Sequence, residues 1–150
     1  MIEAVEQRIR KLKNAEHKPL FNSVESAMNL SSIKNRSVPK PYCAYVANMG
    51  ETPVTLENDS AGSVTQMKVT LGVIMGIQSR NDPTGQRGNS LIKAAQEILR
   101  QSLLGWRPIR AYRPFEIAAS APFAFADNGI WWIERYTTTY YLESLYDQTN

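Results

Sequence analysis

One cysteine and one histidine occur in 150 residues, and those two scarcities exclude a good deal of chemistry. Cys43 alone cannot form a disulfide within the chain, and no cysteine-based metal site can assemble in a single copy. It lies in Tyr42-Cys43-Ala44-Tyr45-Val46, an apolar strand-like run where a small buried thiol is expected. His17, between Glu16 and Lys18, reads as solvated, and its isolation removes His–His and most Cys–His arrangements. No apolar run approaches the roughly 20 residues of a membrane helix. The N-terminus is amphipathic and contains acidic residues, without the apolar region of a secretory signal, so the expectation is a protein made and used in the cytosol. Internal repeats and low-complexity tracts are missing. Charge of either sign is in slight excess only, 17 Lys and Arg against 14 Asp and Glu, which permits an acidic partner without demanding one. The densest basic cluster, Arg8, Arg10, Lys11 and Lys13, shares a helical surface with Glu3, Glu6 and Gln7, and reads as a solvated face rather than a nucleic-acid patch.

Catalytic constellations are missing as well. Asp82-Pro83-Thr84-Gly85-Gln86-Arg87-Gly88-Asn89-Ser90 follows a predicted strand and opens a predicted helix, the place where phosphate loops sit. It has neither the Lys-Ser/Thr of a Walker loop nor three glycines spaced for a dinucleotide, so a loop-and-cap role is expected. Ser63 and Ser120 lack the Gly-x-Ser-x-Gly frame. Glu116 and Glu134 have no spacing that compels them to meet, and Glu134 beside Arg135 reads as a surface ion pair. Tyr112, Trp131 and Trp132 could stack bases, but no basic stripe runs among them. Neither an enzyme, a cofactor site nor a specific nucleic-acid partner is expected.

What is present is a hydrophobic fraction of 43%, enough for a single soluble domain over residues 1–150. The chain is organised around one unit: a strand Val64–Ile77, a turn-rich stretch Asn81–Gly88, and a helix from about Gly88 to Leu104. In the strand Met67, Val69, Leu71, Val73, Met75 and Ile77 share one face, and Gln66, Lys68, Thr70 and Gly72 the other. In the helix Leu91, Ala94, Ala95, Ile98, Leu99 and Ser102 form the predicted inward stripe, opposite Lys93, Gln96, Glu97, Arg100 and Gln101. Asn89 or Ser90 is the expected N-cap, Gly105 the left-handed closing residue, and Pro108 forbids continuation.

Ile2, Val5, Ile9 and Leu12 predict an amphipathic helix over residues 2 to about 14. Asn22 or Ser23 is expected to begin a short second helical segment with Val24, Ala27 and Met28 inward. After Pro39 and Pro41, Tyr42–Asn48 predicts a strand buried on both faces. Gly50–Gly62 reads as loop and, around Val54-Thr55-Leu56, as an exposed arm or loose hairpin, a candidate for contact with a neighbouring subunit. Arg107–Ile117 begins extended and Pro114 confines it to an edge or bulge. Phe123–Ala126, the turn Asp127-Asn128-Gly129 with its expected positive φ values, and Ile130–Leu142 predict a hairpin. In its second strand Trp131, Ile133 and Tyr141 face one way and Trp132, Tyr136 and Tyr140 the other. Aromatics on both faces of a sheet that two helices can cover on one side only predict a buried partner surface.

Four stretches carry a family resemblance: Met1–Leu12, Val69–Ser79, Leu103-Leu104-Gly105-Trp106-Arg107-Pro108, and Trp132-Ile133-Glu134-Arg135-Tyr136-Thr137-Thr138-Thr139-Tyr140. With them the chain resembles the tail terminator (tail completion) proteins of tailed bacteriophages. The resemblance implies an α+β sandwich fold, a mostly antiparallel sheet with the N-terminal and central helices packed on one face. It implies a head-to-tail homo-oligomer, a hexameric ring that caps the tail tube, stops its polymerisation and offers the head/neck joining surface. Tail tube protein, neck or connector protein and sheath protein are the partners implied, with no membrane and no cofactor, in the tail and neck of a virion assembled in the host cytoplasm. A neck or head-tail connector (head completion) protein of similar build remains the alternative. The expected subunit or tube contacts are Glu51, Glu57, Asp59, Arg80, Asp82 and Arg87 on loops, and Trp132, Tyr136 and Tyr140 on the aromatic strand.

Overall fold

In the computed structural model, which describes residues 1–27, 29–34, 36–54, 64–79 and 86–143, the apolar alternation beginning at Val64 is a strand at the centre of the sheet. The elements in chain order are α1 (Ile2–Arg10), β1 (Ser23–Ser26), α2 (Ser31–Lys34), β2 (Tyr42–Pro53), β3 (Val64–Gln78), α3 (Gln86–Leu103), β4 (Glu116–Ala126) and β5 (Gly129–Glu143). Five strands form one sheet in the order β1-β2-β3-β5-β4. β1 runs parallel to β2, and every other pairing is antiparallel. This is the α+β architecture expected, and the predicted alternation of β3 is correct: Leu71, Val73, Met75 and Ile77 join the core under α1 and α3, with Val5, Ile9, Ile92 and Leu99, and Val69 is buried on the same strand.

The opposite face is covered too, which corrects the expectation of bare aromatics there. Ile33 of α2 and Val38 pack with Cys43, Tyr45, Ile74, Trp131 and Ile133 in a second core cluster. Polar bonds fasten this cover: the Trp131 indole N–H donates to the Arg36 carbonyl at 2.9 Å, and Asn128 exchanges two bonds with Val38, at 2.9 and 2.8 Å. Gly76 makes room for the Trp131 ring, since a Cβ there would overlap it and stand 2.9 Å from Cys43 Sγ. The sheet thus buries both faces at its middle, and β2 is buried on both faces from Cys43 to Ala47, as predicted.

Several local expectations are overturned. Asn22 and Ser23 start no helix; Ser23–Ser26 is β1, held by the register Val24↔Ala44 on β2, because parallel pairing with a buried neighbour outweighs weak local helical spacing. α1 ends at Arg10 rather than near residue 14, where Asn14 Oδ1 accepts the N–H groups of Glu16 and Lys18 and turns the chain. Of the loop, arm or hairpin expected from Gly50, residues 50–53 are paired strand, since after a bulge at Asn48/Gly50 β2 continues and pairs Glu51↔Val69 and Pro53↔Met67, and residues 55–62 lie outside the described residues. β4 starts at Glu116, and residues 107–113 are irregular rather than extended. Asp127 and Asn128 do form the hairpin turn, but without positive φ. Gly129 is instead the first residue of β5, where a Cβ would collide with the Ile77 carbonyl of β3.

The phase of α3 also shifts. Its buried residues are Gly88, Ile92, Ala95, Gln96, Leu99 and Leu103, leaving Leu91, Ile98 and Ser102 half-buried and Ala94 exposed. Two polar anchors rotate the helix. Gln96 donates to Ser120 Oγ at 2.9 Å, and Arg100 pairs with Glu134. Ser90 is not the cap either, since its hydroxyl donates to the Gln86 carbonyl one turn back, inside the helix. Gly105 does take the left-handed conformation, φ 80°.

Candidate interaction surface

Charged residues expected on the surface turn out to hold elements together. Arg8 donates to the Ser102 carbonyl at 2.9 Å and lies over the Trp106 ring at 4.5 Å, clamping α1 to the end of α3. Arg10 donates to the Val24 carbonyl at 2.8 Å and to Glu6 at 3.4 Å, so this pair is not merely a solvated face. Glu134 is fully buried and accepts two bonds from Arg100, at 2.8 and 3.1 Å; the expected surface pairing with Arg135 is replaced by this bidentate bridge between β5 and α3. Glu116 pairs in register with Thr137, three positions along β5 from Glu134, which pairs with Ser120, so the two carboxylates lie on different rows.

Of the contact residues expected from sequence, Tyr136 is fully buried beneath Phe115, whose ring meets it edge-on at 6.2 Å, and is unavailable to a partner. Burial, and after it the Glu134 carboxylate, raises its hydroxyl well above the ordinary range. Trp132 is half-buried with its indole N–H on Ser120 Oγ at 2.8 Å. Ser120 is therefore a structural acceptor for two donors, Gln96 and Trp132. Glu57, Asp59, Arg80 and Asp82 lie outside the described residues, and Arg87 is exposed at the start of α3.

Glu51 and Tyr140 are brought together. Residues 50–53, 64–68 and 139–143 continue the three strands β2, β3 and β5 past the two core clusters, as an arm of the sheet. The Tyr140 hydroxyl crosses β3 to donate to Glu51 at 3.0 Å, and the Tyr112 ring packs on Tyr140 at 5.0 Å. Loss of hydration first, and then the neighbouring Glu51 carboxylate, raises the Tyr140 hydroxyl above its ordinary value. The loop before β4 is stitched to the free edge of β5 by Arg113 N–H on the Thr139 carbonyl at 3.0 Å and by the Thr138 hydroxyl on the Arg113 carbonyl. Val64, Tyr141 and Leu142 remain exposed on this arm. The arm thus presents apolar side chains, tyrosine hydroxyls, the Glu51 carboxylate and the exposed Lys68 on paired strands.

Two further features went unseen in the sequence. Phe125, on the outer strand β4, is 76% exposed. On the other flank a groove of about 360 Å³ opens between α3 and the turn at residues 14–20. Phe125 stands beside the predicted turn, and the stripe Leu91, Ala94, Ile98 is wider than the core of α3 takes up.

The profile of the family described as phage tail terminator protein matches residues 2–148. The chain belongs to that family. As a phage tail terminator family member it is a structural protein of the virion tail. No curated protein matches the sequence. The buried Glu134 and Tyr136 and the half-buried Ser120 have scaffold roles inside one subunit.

Proposed function

We propose that the chain acts as the terminator proper: copies close into a ring, six in number, on the end of the tail tube, stop its polymerisation and present the surface that the head or neck connector joins. The observation that carries this reading is the family match across residues 2–148. The role is geometric, so no catalysis enters it. Heterologous contacts close a ring when the rotation between neighbours sums to a full turn, and weak contacts repeated around it bind a tube end by multiplicity. Glu51 and Tyr140 on the arm, with Trp132, Arg87, Glu57, Asp59, Arg80 and Asp82, are the residues we assign to subunit, tube or connector contacts. Support comes from Val64, Tyr141 and Leu142, which stay exposed beside Glu51 and Tyr140 on strands whose middle is buried on both faces. The test is electron microscopy of phage tails made without this protein, and again with it supplied. Tails of uncontrolled length that fail to join heads are expected in its absence. Tails of normal length, joined to heads, would overturn the reading. Purified protein that binds connectors and ignores tube ends would assign it to the neck instead.

A further inference from the structure

Phe125 and the groove lie in a fixed relation within the sheet. Phe125 on β4 pairs with Ile130 on β5, Ile130 with Ile77 on β3, and Ile77 with Tyr42 on β2, all one row of the sheet. Tyr42 lines the groove, together with Leu20, Leu91, Ala94, Ile98 and Glu16. Knob and hole thus sit at the same end of the subunit on opposite flanks, three strand spacings or about 14 Å apart. That separation prevents Phe125 from filling the groove of its own chain. A knob and a hole at separate places on one subunit fit a head-to-tail contact repeated in one direction. The charges complement one another: Lys34 and Arg36, with Asp127, line the surface beside Phe125, whereas the charged residue lining the groove is the carboxylate Glu16. The groove walls are apolar and half-exposed, so an aromatic side chain entering them removes apolar surface from water on both partners.

We propose that Phe125 of one copy seats in the groove between α3 and residues 14–20 of the next copy, and that this is the contact that propagates around the ring. The proposal rests on the ring reading above, and names the surfaces that make it. It is tested with the full chain carrying Phe125→Cys and Leu91→Cys together. Cys43 is buried and its thiol is raised to about 11, so it does not compete. Mild oxidation is expected to give a ladder of covalent oligomers ending at the ring, while either single variant gives none. In parallel, Phe125→Asp and Ala94→Trp should each lose the ring in light scattering with thermal unfolding unchanged. Mixing the two should restore a dimer and nothing larger, because one intact knob and one intact hole remain. A ring in the native chain without a ladder, or rings formed by both blocking variants, would overturn the knob-and-groove contact alone. A native chain that stays monomeric even on tube ends would overturn both this contact and the ring. Rings that persist with Ala94→Trp while capping is lost would overturn it in favour of the tube protein as occupant of the groove.

Discussion

Glu134 illustrates how one residue changes meaning between sequence and fold. Beside Arg135 it looks like a surface carboxylate, yet it is fully buried and depends on Arg100, whose side chain is 36% exposed. Removing one partner of a fully buried ion pair typically destabilises by about 3–5 kcal/mol, because the other charge stays buried without compensation. Water reaches the guanidinium side of this pair, so Arg100→Ala should lose roughly 2–3 kcal/mol, after the discount that exposure imposes. Glu134→Gln, which keeps the shape and removes the charge, should lose less. Urea unfolding of the two variants gives the order, and equal losses would place the pair's value in packing rather than charge. Cys43 makes a prediction about alkaline pH. Burial is the leading cause that raises its thiol from 9.0 to about 11 in the folded chain. The native state therefore holds a proton that the unfolded chain has released, and stability falls as pH climbs from about 9 to 11, with no effect below 9. The gap in unfolding free energy between the native chain and Cys43→Ala should narrow over that window, and a constant gap would show that the thiol ionises without hindrance.

At the scale of elements, α3 gives the clearest test. Leu99 is fully buried and Ile98 half-buried, so Leu99→Ala should cost about 2–5 kcal/mol as a core truncation. Ile98→Ala should cost markedly less, and Lys93→Ala close to nothing, all read as shifts in the denaturant midpoint. If Ile98→Ala matched Leu99→Ala, the observed helix phase would be wrong. The strands were legible because period-two alternation leaves little ambiguity over a run as long as β3. The helix phase was not, because Gln96 and Arg100 look like solvent residues and only the distant Ser120 and Glu134 make burial of that side favourable. β1 escaped notice for a related reason: four residues, Ser-Val-Glu-Ser, carry almost no local strand signal, and their state is decided by β2. The arm was half legible. Exposure of residues 51–53 was foreseen, but their pairing with β3 depends on a bulge at Asn48/Gly50 that no alternation predicts.

For the whole molecule the decisive feature is how the sheet ends at its flanks. β4 is an outer strand of 11 residues with no charged side chain between Ile117 and Ala126, and such an edge ordinarily recruits further strands from any chain it meets. Two interruptions oppose that. The register slips between Ile117 and Ala119 and again between Pro122 and Ala124, and Pro122 has no N–H to offer. Replacing Pro122 with Val should leave the fold in place but raise thioflavin-positive aggregate on prolonged incubation, relative to the native chain. An unchanged fibrillation rate would mean the edge is guarded elsewhere. The bulged, proline-bearing edge thus closes the sheet to growth by strand addition, so that copies of the chain are kept from fusing backbone to backbone, a property the single subunit carries before it meets any neighbour.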